Sequence, residues 1–517
     1  MIFSHSLLNY TAGGNYWVWS KILENLADLD YDSNSMTMEA YDWRLATKLL
    51  EDRDHYFTHL KHKIEICHKT AGKKVVLTSH SMGSLVVHYF FAWVTANESQ
   101  GGGSGGKNWV DEHIHAYVNI AGCHLGVPKA ASALTSGEMS DTVFMTGVGN
   151  VVERFIPRKT RKDMWTTWGS LWSVSKWSRM MIKFPSTMKY LTALSASFLQ
   201  MLPKGGDALW SVGADLPESA SDDSAETCSK DSDTPSKLQE AIKRNVFVIT
   251  DNEEDGLPKA PIKCDKNELL DAETEPIVNK ALEKLSAGIG HTTQSVLDFL
   301  LTWGGGMGPG TSAAKLYSFD PDSEEETSFR TWHDITKTPL PYAPNMKIYC
   351  LYGVGVETER AFFYKRNPTD ITSDDGSTGK EVNPPFILDT SVEDPENGIV
   401  HGIKYSDGDG SVPLLSLGYM CAGPWRDAKS GLNPSGSEVI IREYKHQTGF
   451  SVDDPMRKGP NSAEHVDVLG NQEMLEDFVK IVSNREVETV SDNIISDIEG
   501  IVKRLEEHPE GGLPRRE

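Results

Sequence analysis

The chain has 517 residues, with 51 Lys or Arg against 74 Asp or Glu, and a net charge of −23. So acidic a surface repels phosphate backbones and excludes a general nucleic-acid binder, while the length allows two or three domains. Only 38% of residues are hydrophobic, so long polar loops must dilute the folded part. No run of about 18 apolar residues encodes a transmembrane helix, and residues 1–10 lack the basic start of a secretory signal.

In chain order, residues 16–29 (YWVWSKILENLADL) place apolar side chains at helical spacing, and 52–70 predict a second helix with basic and His residues outward. Residues 74–78 (KVVLT) form a short β-branched run, followed by a long apolar helix over 82–96. The glycine-rich stretch 101–106 (GGGSGG) reads as a flexible linker. It is not a phosphate cradle, because no Ser or Thr follows Lys107 and no strand precedes it. Residues 116–120, 347–352 and 438–444 predict buried strands, and 491–505 an amphipathic helix. Residues 215–236, 320–328 and 366–398 are acidic and rich in Ser, Pro or Gly, and read as mobile loops. Apolar strands between helices give an α/β fold with a parallel sheet covered on both faces.

The cysteines are Cys67, Cys123, Cys228, Cys264, Cys350 and Cys421. None is spaced as C-x-x-C, so no zinc site is expected and buried or free thiols are the default.

The segment that points to chemistry is Ser79-His80-Ser81-Met82-Gly83, between the 74–78 strand and the 82–96 helix. That is the setting of a nucleophile elbow, although Ser79 stands where the usual pattern has glycine. Ser81 is the candidate nucleophile, and the Met82 N–H at the helix start is a candidate oxyanion donor. A serine hydroxyl needs an imidazole to take its proton and a carboxylate to orient the imidazole. On this fold the order is Ser, acid, His. The acid is expected in the turn 406–413 (SDGDGSVP), and the base at His465, with His446 as its rival. The D-G-D-G turn also resembles a calcium loop but lacks the remaining ligands. His80 reads as a packing or hydrogen-bonding residue pointing away from Ser81. His113 and His115 form an H-x-H with no third metal ligand near, and no metal is expected.

With these residues in place the chain resembles the phospholipid:diacylglycerol acyltransferases, relatives of lecithin–cholesterol acyltransferase. The resemblance rests on residues 40–44 (AYDWR), 79–83 (SHSMG), 118–129 (VNIAGCHLGVPK), 201–210 (MLPKGGDALW), 347–355 (KIYCLYGVG), 405–421 (YSDGDGSVPLLSLGYMC) and 464–466 (EHV). It implies an α/β-hydrolase fold with a triad of Ser81, Asp409 and His465, the acid falling on Asp409 rather than Asp407. It divides the chain into an N-terminal core part over 1–130, a cap or insert region over 131–340, and a C-terminal core part over 341–517. It implies a disulfide between Cys350 and Cys421 bracing the acid turn, hence an oxidising compartment, the endoplasmic reticulum lumen, with association to a membrane surface. Sequons at Asn9-Tyr10-Thr11 and Asn97-Glu98-Ser99 permit glycosylation there.

The implied reaction moves a fatty acyl group from a glycerophospholipid to diacylglycerol, with no cofactor, acyl-CoA or metal. Asp42 and Arg44 are expected to form a structural ion pair, and the Trp-rich 165–177 to line the acyl pocket, touch the bilayer or pack a cap. Members of the family carry an anchor, the first strands, a lid and the second oxyanion donor before the segment matching 9–29. The chain therefore reads as an N-terminally shortened member. The rival readings are a phospholipase that passes the acyl group to water, and a catalytically impaired lipid-binding fragment.

Overall fold

Runs such as Val75-Val76-Leu77 and Ile348-Tyr349-Cys350-Leu351 offer apolar side chains to both faces, and they form the centre of a parallel sheet. The computed structural model describes residues 2–6, 18–43, 45–138, 140, 200–215, 247–249, 290–291, 293, 296, 329, 331–366, 386–449 and 458–513. The expectations for Asn9, Arg44, 165–177, Cys228 and Cys264 fall outside those residues.

The elements of the main sheet are β1 (Ile2–Ser6), β2 (Thr37–Tyr41), β3 (Val75–His80), β4 (Ile114–Ile120), β7 (Lys347–Val354) and β12 (Glu438–Lys445). Their order is β12-β7-β4-β3-β1-β2, with every neighbouring pair parallel. The helices between these strands are α1 (Ser20–Ala27), α2 (Thr47–Asp54), α3 (Tyr56–Ala71), α4 (Gly83–Thr95), α5 (Trp109–His113), α6 (Pro128–Ser136), α7 (Gly206–Trp210) and α8 (Leu414–Ala422). Beyond β12 come α9 (Gln472–Ser483) and α10 (Ile498–Glu507). This is the α/β-hydrolase architecture expected from the sequence, with its nucleophile turn between β3 and α4.

A smaller sheet contains β5 (Phe247–Ile249), β6 (Gly290–His291), β8 (Thr358–Arg366), β9 (Phe386–Leu388), β10 (Ile399–Val400) and β11 (Ile403–Ser406). Its order is β10-β11-β8-β5-β6, and β9 pairs with the free part of β8. Strand β11 runs directly into the acid turn. Buried Arg360 on β8 joins Asp215 at 2.5 Å and lies over the Trp210 ring, tying this sheet to the segment behind α7.

Helix α4 shows why the core holds. Leu85, Val86, Val87, Phe90, Phe91 and Val94 are each essentially inaccessible. Full burial of such a side chain is worth about 1.5–3 kcal/mol.

Four sequence expectations need correction. The 52–70 helix is two helices, broken at His55, whose φ of 51° is left-handed. Glu51 then turns its carboxylate onto the Phe57 and Thr58 N–H groups at 2.9 and 3.0 Å, capping the start of α3. The 101–106 stretch is no free linker. The Gly103, Ser104 and Gly105 N–H groups donate to the last carbonyls of α4 and its cap, on Trp93, Ala96 and Val94. A Cβ on Gly103 would lie 2.4 Å from the Trp93 ring, so glycine is needed for this close approach. Within 366–398, residues 386–388 form a strand, because Phe386 and Leu388 are buried. The C-terminal helix begins at Ile498, not 491. Residues before it are spent covering the edge of β12, where Asn493 donates to the Ile441 carbonyl and accepts from the Glu443 N–H, both at 2.9 Å.

Candidate active site

Strand β3 ends at His80, and the chain reverses sharply at Ser81 before α4 begins at Gly83. Ser81 has φ 56°, a left-handed conformation that costs a non-glycine residue about 1–2 kcal/mol. The neighbouring strand and helix hold it there. The Ser81 N–H donates to the Ile120 carbonyl at 3.0 Å, and its carbonyl accepts from the Ser84 N–H and hydroxyl at 3.0 and 2.8 Å. Ser79, in the place of the usual glycine, fits because its buried hydroxyl pairs with the Tyr117 hydroxyl at 2.8 Å.

The structure brings Ser81, His465 and Asp409 together from three distant parts of the sequence. His465 Nε2 lies 2.8 Å from Ser81 Oγ, and His465 Nδ1 lies 2.7 Å from Asp409 Oδ2. A carboxylate only accepts, so Nδ1 carries the hydrogen and Nε2 turns its lone pair to the serine. Asp409 is fully buried, and its other oxygen accepts from the Ser411 and Val412 N–H groups at 2.9 and 2.7 Å. Asp407, the other acid of the turn, has a different task. It accepts from the Gly355 and Gly408 N–H groups, both at 2.8 Å, and pins the turn to the end of β7. Both carboxylates are thus spent on hydrogen bonds rather than arranged as a calcium loop.

Cys350 on β7 and Cys421 on α8 are joined by a disulfide, so the strand beneath the acid turn and the helix leaving it are covalently linked. Cys123 is a free thiol, buried and pushed up to about 11 by that burial, so it stays protonated. Cys67 is also free.

The His465 loop rests on β7 through Gly353. A Cβ there would stand 1.8 Å from the Ala463 carbonyl oxygen, so only glycine lets the loop pack this closely. His446, the rival base, instead accepts the Ala463 N–H at its Nδ1, at 3.1 Å, and approaches Thr448 Oγ1 with Nε2 at 3.2 Å. It braces the loop that bears His465. Asn471 caps α9 through the Met474 N–H and donates to the Ser462 carbonyl, fixing the far side of the same loop.

Met82 follows Ser81 at the N-cap of α4, and among the described residues none accepts a hydrogen bond from its N–H. An anion beside Ser81 would meet this N–H and the positive end of the α4 dipole. Asp42 pairs with Arg53 at 2.9 Å, a partner that the sequence reading missed. The two lie 11 residues apart, on a loop and on α2, with no periodicity to connect them. His113 stacks on Trp109, its ring centroid 4.6 Å away, and no group of three or more metal-ligating side chains stands among the described residues.

Two buried histidines that the sequence did not single out lie beside Trp425. His88 on α4 accompanies the Thr338 carbonyl at 3.1 Å, and His124 accepts from Asn119 Nδ2 at 3.0 Å. Burial pushes their imidazoles down to about 4 and about 3, so both are neutral at pH 7. What the arrangement can do is nucleophilic acyl chemistry, with a polarised serine, a correctly tautomeric base and an anion-favouring helix start within one cluster.

A profile described as lecithin:cholesterol acyltransferase matches residues 3–472. A phospholipid:diacylglycerol acyltransferase of Schizosaccharomyces pombe is 35% identical over 491 residues, covering 95% of this chain and 63% of that protein. One from Saccharomyces cerevisiae is 33% identical, over 90% of this chain and 57% of that protein. A putative phospholipid:diacylglycerol acyltransferase 2 of Arabidopsis thaliana is 30% identical, over 95% of this chain and 74% of that protein. The chain therefore spans less than two thirds of the length of the two fungal relatives.

Proposed function

This chain belongs to the lecithin:cholesterol acyltransferase family, and we propose that it transfers a fatty acyl group from a glycerophospholipid to diacylglycerol. The observation that carries the reading is the relay from Asp409 through His465 to Ser81, at 2.7 and 2.8 Å.

Ser81 Oγ attacks the phospholipid ester carbonyl as its proton passes to His465 Nε2. The tetrahedral oxyanion faces the Met82 N–H, and Asp409 stabilises the imidazolium. His465 returns the proton to the departing oxygen, and lysophospholipid leaves Ser81 acylated. The diacylglycerol hydroxyl then attacks the acyl-enzyme and gives its proton to His465. Collapse releases triacylglycerol and hands the proton back to Ser81. The energy of the donor ester is conserved in the acyl-enzyme, so neither acyl-CoA nor a metal enters the scheme.

We further propose that the protein works on a membrane surface, where both lipids reside, in an oxidising compartment such as the endoplasmic reticulum lumen. The Cys350–Cys421 bridge supports the latter. No described helix is long and apolar enough to cross a membrane.

The test presents vesicles of acyl-labelled phosphatidylcholine and unlabelled diacylglycerol. Label in triacylglycerol with stoichiometric lysophosphatidylcholine supports the transfer. Label only in free fatty acid replaces it with hydrolysis, and product from a Ser81→Ala variant removes Ser81 from the scheme.

A further inference from the structure

The residue immediately before the nucleophile, His80, closes a second link between the elbow and the loop that carries the base. Its Nε2 lies 2.8 Å from the His465 main-chain carbonyl oxygen. A carbonyl oxygen can only accept, so His80 Nε2 carries the hydrogen and donates it. The His80 ring lies beside two others. The His465 ring is one, with centroids 4.9 Å apart and planes tilted by 38°. Trp19, just before α1, is the other, nearly perpendicular to His80 with centroids 6.3 Å apart.

The consequence is geometric. His465 is held by its main chain as well as by its ring. Its N–H donates to the Asp409 carbonyl at 2.9 Å, and its C=O accepts from His80. One bond ties the base to the acid turn, and the other ties it to the last residue of β3, one peptide away from Ser81. The span from Ser81 to His465 Nε2 is therefore set by two routes between the same elements. One is the functional hydrogen bond, and the other is a main-chain tether independent of the proton in flight. The tether matters most when Ser81 is acylated, because Oγ is then an ester oxygen with no hydrogen to offer the imidazole. Nε2 must nevertheless stay where the incoming hydroxyl will need it.

We infer that His80 is a positioning residue for acyl transfer, holding the His465 main chain at a fixed distance from Ser81 through its Nε2–H. It acts through His465 and exchanges no proton with the substrate itself. The inference rests on Ser81 and His465 acting as the proposed nucleophile and base. Misplacing a catalytic group by about 1 Å can cost about 100-fold in rate.

The experiment compares wild type with His80→Phe, which keeps an aromatic ring but lacks the donor, and His80→Gln, whose amide N–H reaches a similar position. Two rates are read for each: triacylglycerol formation from phosphatidylcholine and diacylglycerol, and covalent capture of Ser81 by a fluorophosphonate. Thermal melting checks the fold. The Phe variant should lose between about 10-fold and about 100-fold in kcat with KM little changed, lose capture rate in parallel, and melt near wild type. The Gln variant should regain most of both rates. A Phe variant with wild-type kcat and capture rate overturns the inference, as does a Gln variant as slow as Phe while still folded. If wild type captures the probe but makes no triacylglycerol, the proposed function falls, and the capture rates alone decide the role of His80.

Discussion

Replacing Asp409 with asparagine changes one atom of the site and should nearly silence it. Asp409 Oδ1 accepts two main-chain N–H groups, from Ser411 and Val412, at 2.9 and 2.7 Å. An amide NH2 cannot accept, so the asparagine must keep its oxygen on that side and turn Nδ2 toward His465. The imidazole Nδ1, 2.7 Å away, can then only accept, which drives the ring hydrogen to Nε2. Nε2 meets Ser81 Oγ at 2.8 Å with a hydrogen where a lone pair is required, so the base cannot take the serine proton. An orienting acid lost in this way costs about 10⁴ in kcat. At about 1.36 kcal/mol per decade, that is about 5.5 kcal/mol of barrier. The fold should barely notice, because the number of hydrogen bonds at position 409 is unchanged. The assay measures kcat and KM for triacylglycerol formation by wild type and Asp409→Asn, with urea unfolding of both. A folded Asp409→Asn protein within tenfold of wild-type kcat would refute the tautomer argument, as would a loss confined to KM.

Three further outcomes follow from particular contacts. His88 and His124 are held neutral at about 4 and about 3, below the ordinary 6.5, so the unfolded chain binds their protons first as pH falls. Their contribution is complete above about pH 6.5 and is lost as pH falls from about 6.5 to about 4 for His88 and to about 3 for His124, at about 1.4 kcal/mol per pH unit for each. His124→Asn should therefore reduce the slope of urea stability against pH between 6 and 5 by about one proton, and an unchanged slope contradicts the burial argument. Glu443 is wholly buried and accepts from the Tyr352 hydroxyl, the Ile495 and Ser496 N–H groups and the Ser496 hydroxyl. Truncation to alanine orphans these donors at about 1–3 kcal/mol each, so Glu443→Ala should lose at least about 3 kcal/mol in urea unfolding, and a loss below about 1 kcal/mol would disprove it. Gly353→Ala places a methyl against the Ala463 carbonyl and must displace the His465 loop. It should lower kcat by about 100-fold, and wild-type turnover would show that the loop has room.

The central strands and the elbow were legible because both are local patterns. Residues 74–78 and 347–352 are short apolar runs, and a small-residue turn between strand and helix can be seen without knowing what packs on it. The spatial meeting of Ser81, Asp409 and His465 was not local. It was placed by chain order and family resemblance, and the choice between His446 and His465 depended on which loop faces Ser81. The misreadings have one physical source. Composition describes what a segment can do alone, and tertiary partners decided otherwise. GGGSGG is ordered because the end of α4 offers it carbonyls, and 491–497 is non-helical, with Asn493 bridging to the open edge of β12. The smaller sheet went unread because its strands are short and far apart in sequence. Thr358–Arg366 carries charged residues near both ends, and its partners lie at 247–249, 386–388 and 403–406. The tether from His80 to His465 was invisible for a related reason, since it ends on a main-chain atom that no side-chain pattern announces.

The most direct measurement is of the covalent intermediate itself. The protein is mixed with phosphatidylcholine carrying a labelled acyl chain, without acceptor, quenched in acid within one turnover, and digested for peptide mass analysis. The acyl mass is expected on the peptide containing Ser81, with discharge into triacylglycerol when diacylglycerol is added before the quench. Label on another residue, or triacylglycerol formed at full rate while Ser81 is never acylated, would contradict the scheme.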